Sequence, residues 1–284
     1  PLLASEWLIC DVRNRKVRDR IVTRYARDMK NGKWQSNGQS IVFDSKGGLL
    51  DGQHRLRACI VSGVQFTSVV VRGISEDALI TMDTGRSRLA GDMLRIRFGT
   101  VNYYAAASAL ALIFAHKYAG GMNHRDISPS HQEIEDLYAE HPEIDDIIGS
   151  IQSLTPLVPP AVAGACKFLF MQQSKKKAQE FFDRLTDGAN LEADSPILML
   201  RNRLMQFRAR EKRDNVRIFS GAGSSRIMAI ALIIKAWNAF RTDRKLKSLS
   251  WKLGNPFPAI GTEGDSGILD IAAAPTLKSS KATA

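Results

Sequence analysis

The stretch Leu49-Leu50-Asp51-Gly52-Gln53-His54-Arg55-Leu56-Arg57-Ala58 sets a Gly-containing polar turn, an imidazole and a guanidinium at the junction of a strand and a helix. Upstream, Ser40 to Asp44 reads as a short strand and Lys46-Gly47-Gly48 as a turn in which glycine can take positive φ. Downstream, apolar residues recur at Leu56, Cys59 and Ile60 with helical spacing up to Ser62-Gly63, and Phe66 to Val71 is β-branched again. The first N–H groups of a helix have no internal partner and carry the positive end of its dipole, so an anion seated at this turn gains several hydrogen bonds together. His54 and Arg55 would add charge-assisted donors. A structural reading stands beside this one: Asp51 as N-cap, Gly52 as a tight turn, Arg55 and Arg57 as solvated cations. Against it, arginine in the first turn opposes the dipole and is not explained by local stability.

Beyond Gly73 the pattern changes. Ile74 to Leu79 reads as a short helix, and Met82 to Arg88 as a polar turn opening a helix to about Arg97. Asp83, Arg86 and Arg88 in that turn are types that hold a metal or phosphate oxygens, or simply cap the helix. From Tyr103 the spacing is helical almost throughout: Ala105–Tyr118, Ser130–His141 after Ser128-Pro129, Pro160–Gln173, Lys175–Thr186, Pro196–Arg213 and Ser224–Thr242. Ser128 to Ile148 has the length of a helix-turn-helix start, but its second helix is acidic and would repel phosphate. Asp136, Glu140, Glu143, Asp145 and Asp146 read as a solvated face, and Trp237, Phe240 and Trp251 as packing residues. Residues 261–284, rich in Gly, Ser, Ala, Thr and Lys, are expected to form a disordered tail.

The 284 residues are 44% hydrophobic, enough for a core and two lobes. Lys and Arg number 40 against 29 Asp and Glu, a net charge of +11, which favours a nucleic-acid or nucleotide partner. The basic residues cluster between Arg13 and Lys30 and again between Arg201 and Arg217. From these groups Arg20, Arg24, Arg27, Arg208, Arg210 and Arg213 are the expected DNA contacts. Cys10, Cys59 and Cys166 are odd in number and widely spaced, which argues for a reducing cytosol with neither disulfide nor zinc site. No apolar run reaches the length of a membrane span.

On the run from Ser40 to Gly73, strand, Asp-Gly-Gln-His-Arg-Leu-Arg-Ala, helix, Gly63-Val64, then Ser68-Val69-Val70-Val71, the chain resembles the ParB/sulfiredoxin superfamily. The spelling of the motif is similar to that of the DGQHR proteins of phages and DNA-modification islands. Three departures narrow what the resemblance implies. Gln53 stands where sulfiredoxin needs its nucleophilic cysteine. The Gly-Glu-Arg-Arg turn with which partition proteins hold CTP reads Gly52-Gln53-His54-Arg55 here. The serine kinases of the superfamily use an N-terminal glutamate as base, a role for which Glu6 is the only residue before the motif.

The resemblance implies an α+β fold: a small mixed-sheet lobe over about residues 1–100, an α-helical lobe over 101–260, and the tail. It implies a nucleotide-binding protein acting on DNA, with ATP or another nucleoside triphosphate and Mg²⁺. Gly52, Gln53, His54, Arg55, Arg86 and Arg88 would hold phosphates, His54, Arg55 and Asp51 would carry catalysis, and Asp51 or Asp83 would meet the metal. The reaction would be phosphoanhydride hydrolysis, phosphoryl transfer or DNA backbone cleavage, in the cytoplasm of a bacterial or phage-infected cell. The other reading is a non-catalytic regulator or partition-type clamp switched by nucleotide; a helical adaptor with a vestigial pocket is a third. Homodimerisation is left open.

Overall fold

The computed structural model describes residues 1–10, 17–75, 89–122, 127–215 and 224–261. These fall into two units, the first spanning residues 1–90 and 128–135 and the second residues 91–127 and 136 onward. The fold is α+β, with eleven α-helices and one three-stranded mixed sheet among the described residues.

In the first unit, helices α1 (Leu2–Ile9) and α2 (Asp19–Lys30) precede strands β1 (Ile41–Asp44) and β2 (Leu49–Asp51), then helix α3 (Gln53–Ser62) and strand β3 (Val70–Ile74). Strand order is β2-β1-β3, with β1 antiparallel to β2 and parallel to β3. All four residues of β1 are buried, as its central position requires. The β1–β2 turn is closed by Asp44, whose Oδ1 accepts the N–H of Lys46 and of Gly48, both at 2.7 Å, while Gly47 takes φ 88°. Helix α2 buries Val22, Ala26 and Met29, a single stripe at helical spacing, and α3 buries Leu56, Ala58 and Cys59. With Ala4, Ile41, Phe43 and Leu49 these form the core. Helix α3 ends at Gly63, in the left-handed region with its N–H on the Cys59 carbonyl, a helix stop that its sequence announces.

Two expectations move. The last strand runs over Val70–Ile74 rather than Phe66–Val71, because its register is set by Ile41 opposite Val70, while Phe66 turns aside to meet the Trp34 ring at 5.9 Å. Ile74 therefore belongs to a strand and not to the start of a helix; residues 76–80 lie outside the described residues. Helix α6 (His131–Glu140) is capped by Ser130 and not by Ser128. The Ser130 Oγ accepts the Glu133 N–H at 3.2 Å and the Glu133 carboxylate accepts the Ser130 N–H at 2.7 Å, a capping box.

The second unit holds α4 (Ala90–Phe98), α5 (Tyr103–Ala119), α7 (Ile144–Ser150), α8 (Pro160–Met171), α9 (Lys175–Asp187), α10 (Pro196–Asp214) and α11 (Ser224–Arg241). Helix α4 packs tightly on α5, since a Cβ on Gly91 would lie 3.1 Å from the Tyr103 carbonyl. Asp145 caps α5 by accepting the Asn102 N–H at 3.2 Å. The core stacks Phe170 on Trp237 with centroids 4.5 Å apart and planes at 6°, and Trp237 is fully buried. Helix α7 buries Ile144, Ile147 and Ile148 and carries Asp145 and Asp146 in its first turn, an acidic start that suits no phosphate contact. Among the described residues no single helix is long and apolar enough to cross a membrane.

Candidate phosphate-binding turn

Strand β2 ends at Asp51, Gly52 turns the chain, and α3 begins at Gln53. Gly52 has φ 112° and ψ −4°, a conformation that L side chains avoid. A Cβ there would also lie 2.4 Å from Ile41 Cδ1, so glycine is required by backbone angle and by space. The Gly52 carbonyl accepts the N–H groups of Arg55 and Leu56, each at 3.0 Å, and so closes the first helical turn. A glycine cap supplies no side-chain oxygen, and the first turn of α3 carries no acidic residue. The positive end of the helix dipole is thus not answered by a capping carboxylate.

Arg55 does not reach outward. Its side chain is 7% exposed, with Nη1 donating to the Gln39 carbonyl at 2.7 Å and Nη2 to the Ser40 carbonyl at 2.8 Å and to Asp51 Oδ2 at 2.9 Å. The guanidinium ties the chain entering β1 to the turn leaving β2. The expectation is that it grips phosphate oxygens; here three acceptors of the fold engage its two terminal nitrogens. His54 is buried, and its Nε2 accepts the Arg18 N–H at 3.1 Å, where α2 starts. An accepting nitrogen has no proton to offer, so in this bond the imidazole is neutral and Nε2 cannot donate to an anion. Gln53 is buried as well. Asp51, expected as catalyst or metal ligand, pairs with Arg55 and keeps 31% of its side chain exposed.

Asp83, Arg86 and Arg88 lie outside the described residues. Among the described residues no group of three or more His, Cys, Asp and Glu side chains has the geometry of a metal site. Cys59 and Cys166 are buried, and burial pushes the Cys166 thiol up to about 12, which disfavours its thiolate.

The expected DNA contacts divide. Arg27 gives Nε and Nη2 to the two Glu133 oxygens at 2.6 and 2.8 Å and Nη2 also to the Ser128 carbonyl at 2.8 Å. Arg208 donates to the carbonyls of Leu157 and Thr155 and pairs with Glu211 at 2.7 Å. Both act as clamps of the fold. Arg24 lies over the Tyr25 ring, 5.4 Å from its centroid. Arg20, Arg210 and Arg213 are exposed, although the last two share Asp214, whose carboxyl is held below its usual range by the Arg213 hydrogen bond.

The sequence showed the Asp51–Arg55 spacing of four that makes an ion pair on a helix start; the Gln39 and Ser40 carbonyls carry no such signal. No protein-family model matches this chain, and no curated protein or solved structure matches it either.

Proposed function

We propose that this chain is a ParB/sulfiredoxin-like protein that binds a nucleoside triphosphate, ATP first among them, at the N-terminus of α3 and acts on DNA. One observation supports the phosphate site above the rest: β2 passes straight into α3 through a glycine held at positive φ, at a helix start with no capping side chain and no carboxylate in its first turn. In this reading the backbone at Gly52 and Gln53 binds phosphate, and Arg55 and His54 hold that backbone in shape. Mg²⁺, which keeps most of its ligands from phosphate and water, would find one carboxylate here, Asp51, and would supply neutralisation of the phosphate charge.

The commitment of His54, Arg55 and Asp51 to partners within the fold favours the nucleotide-switched DNA binder over the hydrolase or nuclease. Turnover separates the two, since a switch binds nucleotide and DNA with negligible catalysis.

The test is thermal unfolding with Mg²⁺ and ATP, CTP, GTP or ADP. A ligand at a hundred times its Kd that binds only the folded state adds about 2.7 kcal/mol. A rise selective for one nucleotide is the expected result; no rise with any nucleotide refutes the site.

A further inference from the structure

We propose that a groove in the helical unit, between α11 and the chain that follows it, binds the phosphodiester backbone of DNA; the assignment rests on the DNA half of the function proposed above and gives it a surface. After Arg241 the chain doubles back, with Asp243 at φ 53° and the Arg244 N–H on the Ala239 carbonyl at 2.9 Å. The groove between this return and α11 has a volume of about 830 Å³. Lys235 and Arg244 line it together with Ser248, over Leu246 and Leu249, and none of its described lining residues is acidic, while Arg244 also borders the adjoining hollow that holds Glu192, Asp194 and Asp243.

The walls are fixed by the fold. Asn238 donates to the Ala259 carbonyl at 2.8 Å and accepts the Gly261 N–H at 2.9 Å, and the Thr242 hydroxyl donates back to the Asn238 carbonyl at 3.0 Å. Lys235, by contrast, meets a neutral group, the Ser250 carbonyl, at 2.6 Å, so its charge is not cancelled. Residues 241–252 carry five Lys and Arg and one acidic residue, and that residue, Asp243, is paired with Lys177. Lys245 is taken by Glu192 and Asp194. Lys247 and Lys252 are exposed, which leaves a basic return beside a basic groove. Ammonium, guanidinium and hydroxyl donors over aliphatic side chains are the groups that proteins turn toward DNA phosphate and sugar. The α10 surface is a poorer match, because Asp214 answers both Arg210 and Arg213.

The experiment is fluorescence anisotropy of labelled duplex and single-stranded oligonucleotides against the full chain over a salt series. Removing two phosphate contacts with Lys235→Gln and Arg244→Gln together should lower affinity at least tenfold and reduce the slope of log K against log salt by about 1.8. Lys247→Gln with Lys252→Gln, on the exposed return, should weaken binding in the same sense if the first pair fails to fold. Arg210→Gln with Arg213→Gln should change little. Wild-type affinity and slope in both groove variants overturn the groove and leave DNA binding standing. Competition by polyglutamate as effective as that by DNA overturns the phosphate assignment in favour of an acidic protein partner. A wild-type chain that binds neither oligonucleotide, while nucleotide still raises its melting temperature, overturns the groove and the DNA half of the function together.

Discussion

Replacing Arg55 with alanine should unfold the sheet unit before it alters any ligand. The guanidinium makes three hydrogen bonds at 2.7 to 2.9 Å from a side chain 7% exposed. Breaking a buried ion pair by removing one partner costs about 3–5 kcal/mol. Asp51, at 31% exposure, recovers part of its hydration, so its share is discounted and about 3 kcal/mol is the expected loss. Arg55→Lys keeps the charge, but an ammonium cannot span three oxygens fixed by a planar fork; about 1.5–2 kcal/mol is expected from the carbonyl left without a donor. Asp51→Asn, which leaves both carbonyl bonds intact, should cost only about 1 kcal/mol. At roughly 4–8 °C per kcal/mol for a domain of this size, Arg55→Ala lowers the melting of this unit by more than ten degrees. Urea titration read by amide exchange in residues 41–62 isolates the sheet unit, and exchange in residues 160–171 serves as the internal reference. A sheet-unit stability within about 1 kcal/mol of wild type in Arg55→Ala would refute the clamp. The ordering Ala, Lys, Asn matters as much as the size, because a simple phosphate-binding arginine would show no loss in the absence of ligand.

Gly52→Ala should cost about 2–3 kcal/mol, combining left-handed backbone strain with overpacking against Ile41; adding Ile41→Val, which removes the Cδ1 that an added Cβ would strike at 2.4 Å, should return part of that loss in urea unfolding, and strict additivity would contradict the steric account. Asp28 is buried with Oδ1 unpartnered, and its pKa is raised from 3.8, first by desolvation and then by Glu133, against a lowering hydrogen bond from Ser130. The folded state therefore holds this proton more tightly than the unfolded state, so stability falls as pH rises from about 3.8 through the raised value. Asp28→Asn should accordingly melt higher than wild type at pH 7 and lose that advantage near pH 4. A lower melting temperature for Asp28→Asn at pH 7 would show instead that the carboxylate is stabilising.

What could be read from the chain was local. The Asp44 turn, the glycine at positive φ, the helix stop at Gly63 and the Pro196 helix start all follow from residues a few positions apart, and each is where the sequence suggests. What could not be read was distant. Arg27 finds Glu133 at a separation of 106 residues, and Arg208 finds carbonyls 51 and 53 residues away. Nothing in a run of arginines distinguishes those that face solvent from those that clamp the fold. The third strand slid for the same reason, since its register belongs to Ile41. Ser130 is also legible, since Ser130-His131-Gln132-Glu133 is a capping-box sequence that competes with the Ser128-Pro129 start two residues before it. The candidate site divides along the same line, its glycine turn being local and the occupation of Arg55 not.

The three-way grip of Arg55 has a consequence for descent. Gly52 and Arg55 serve the closure of the sheet whether or not the turn binds anything. Selection for folding alone would hold a chain to these two residues. The constraint on Gly52 and Arg55 is therefore one of folding, and a change of activity in this chain has to be sought at positions that the fold leaves free to vary.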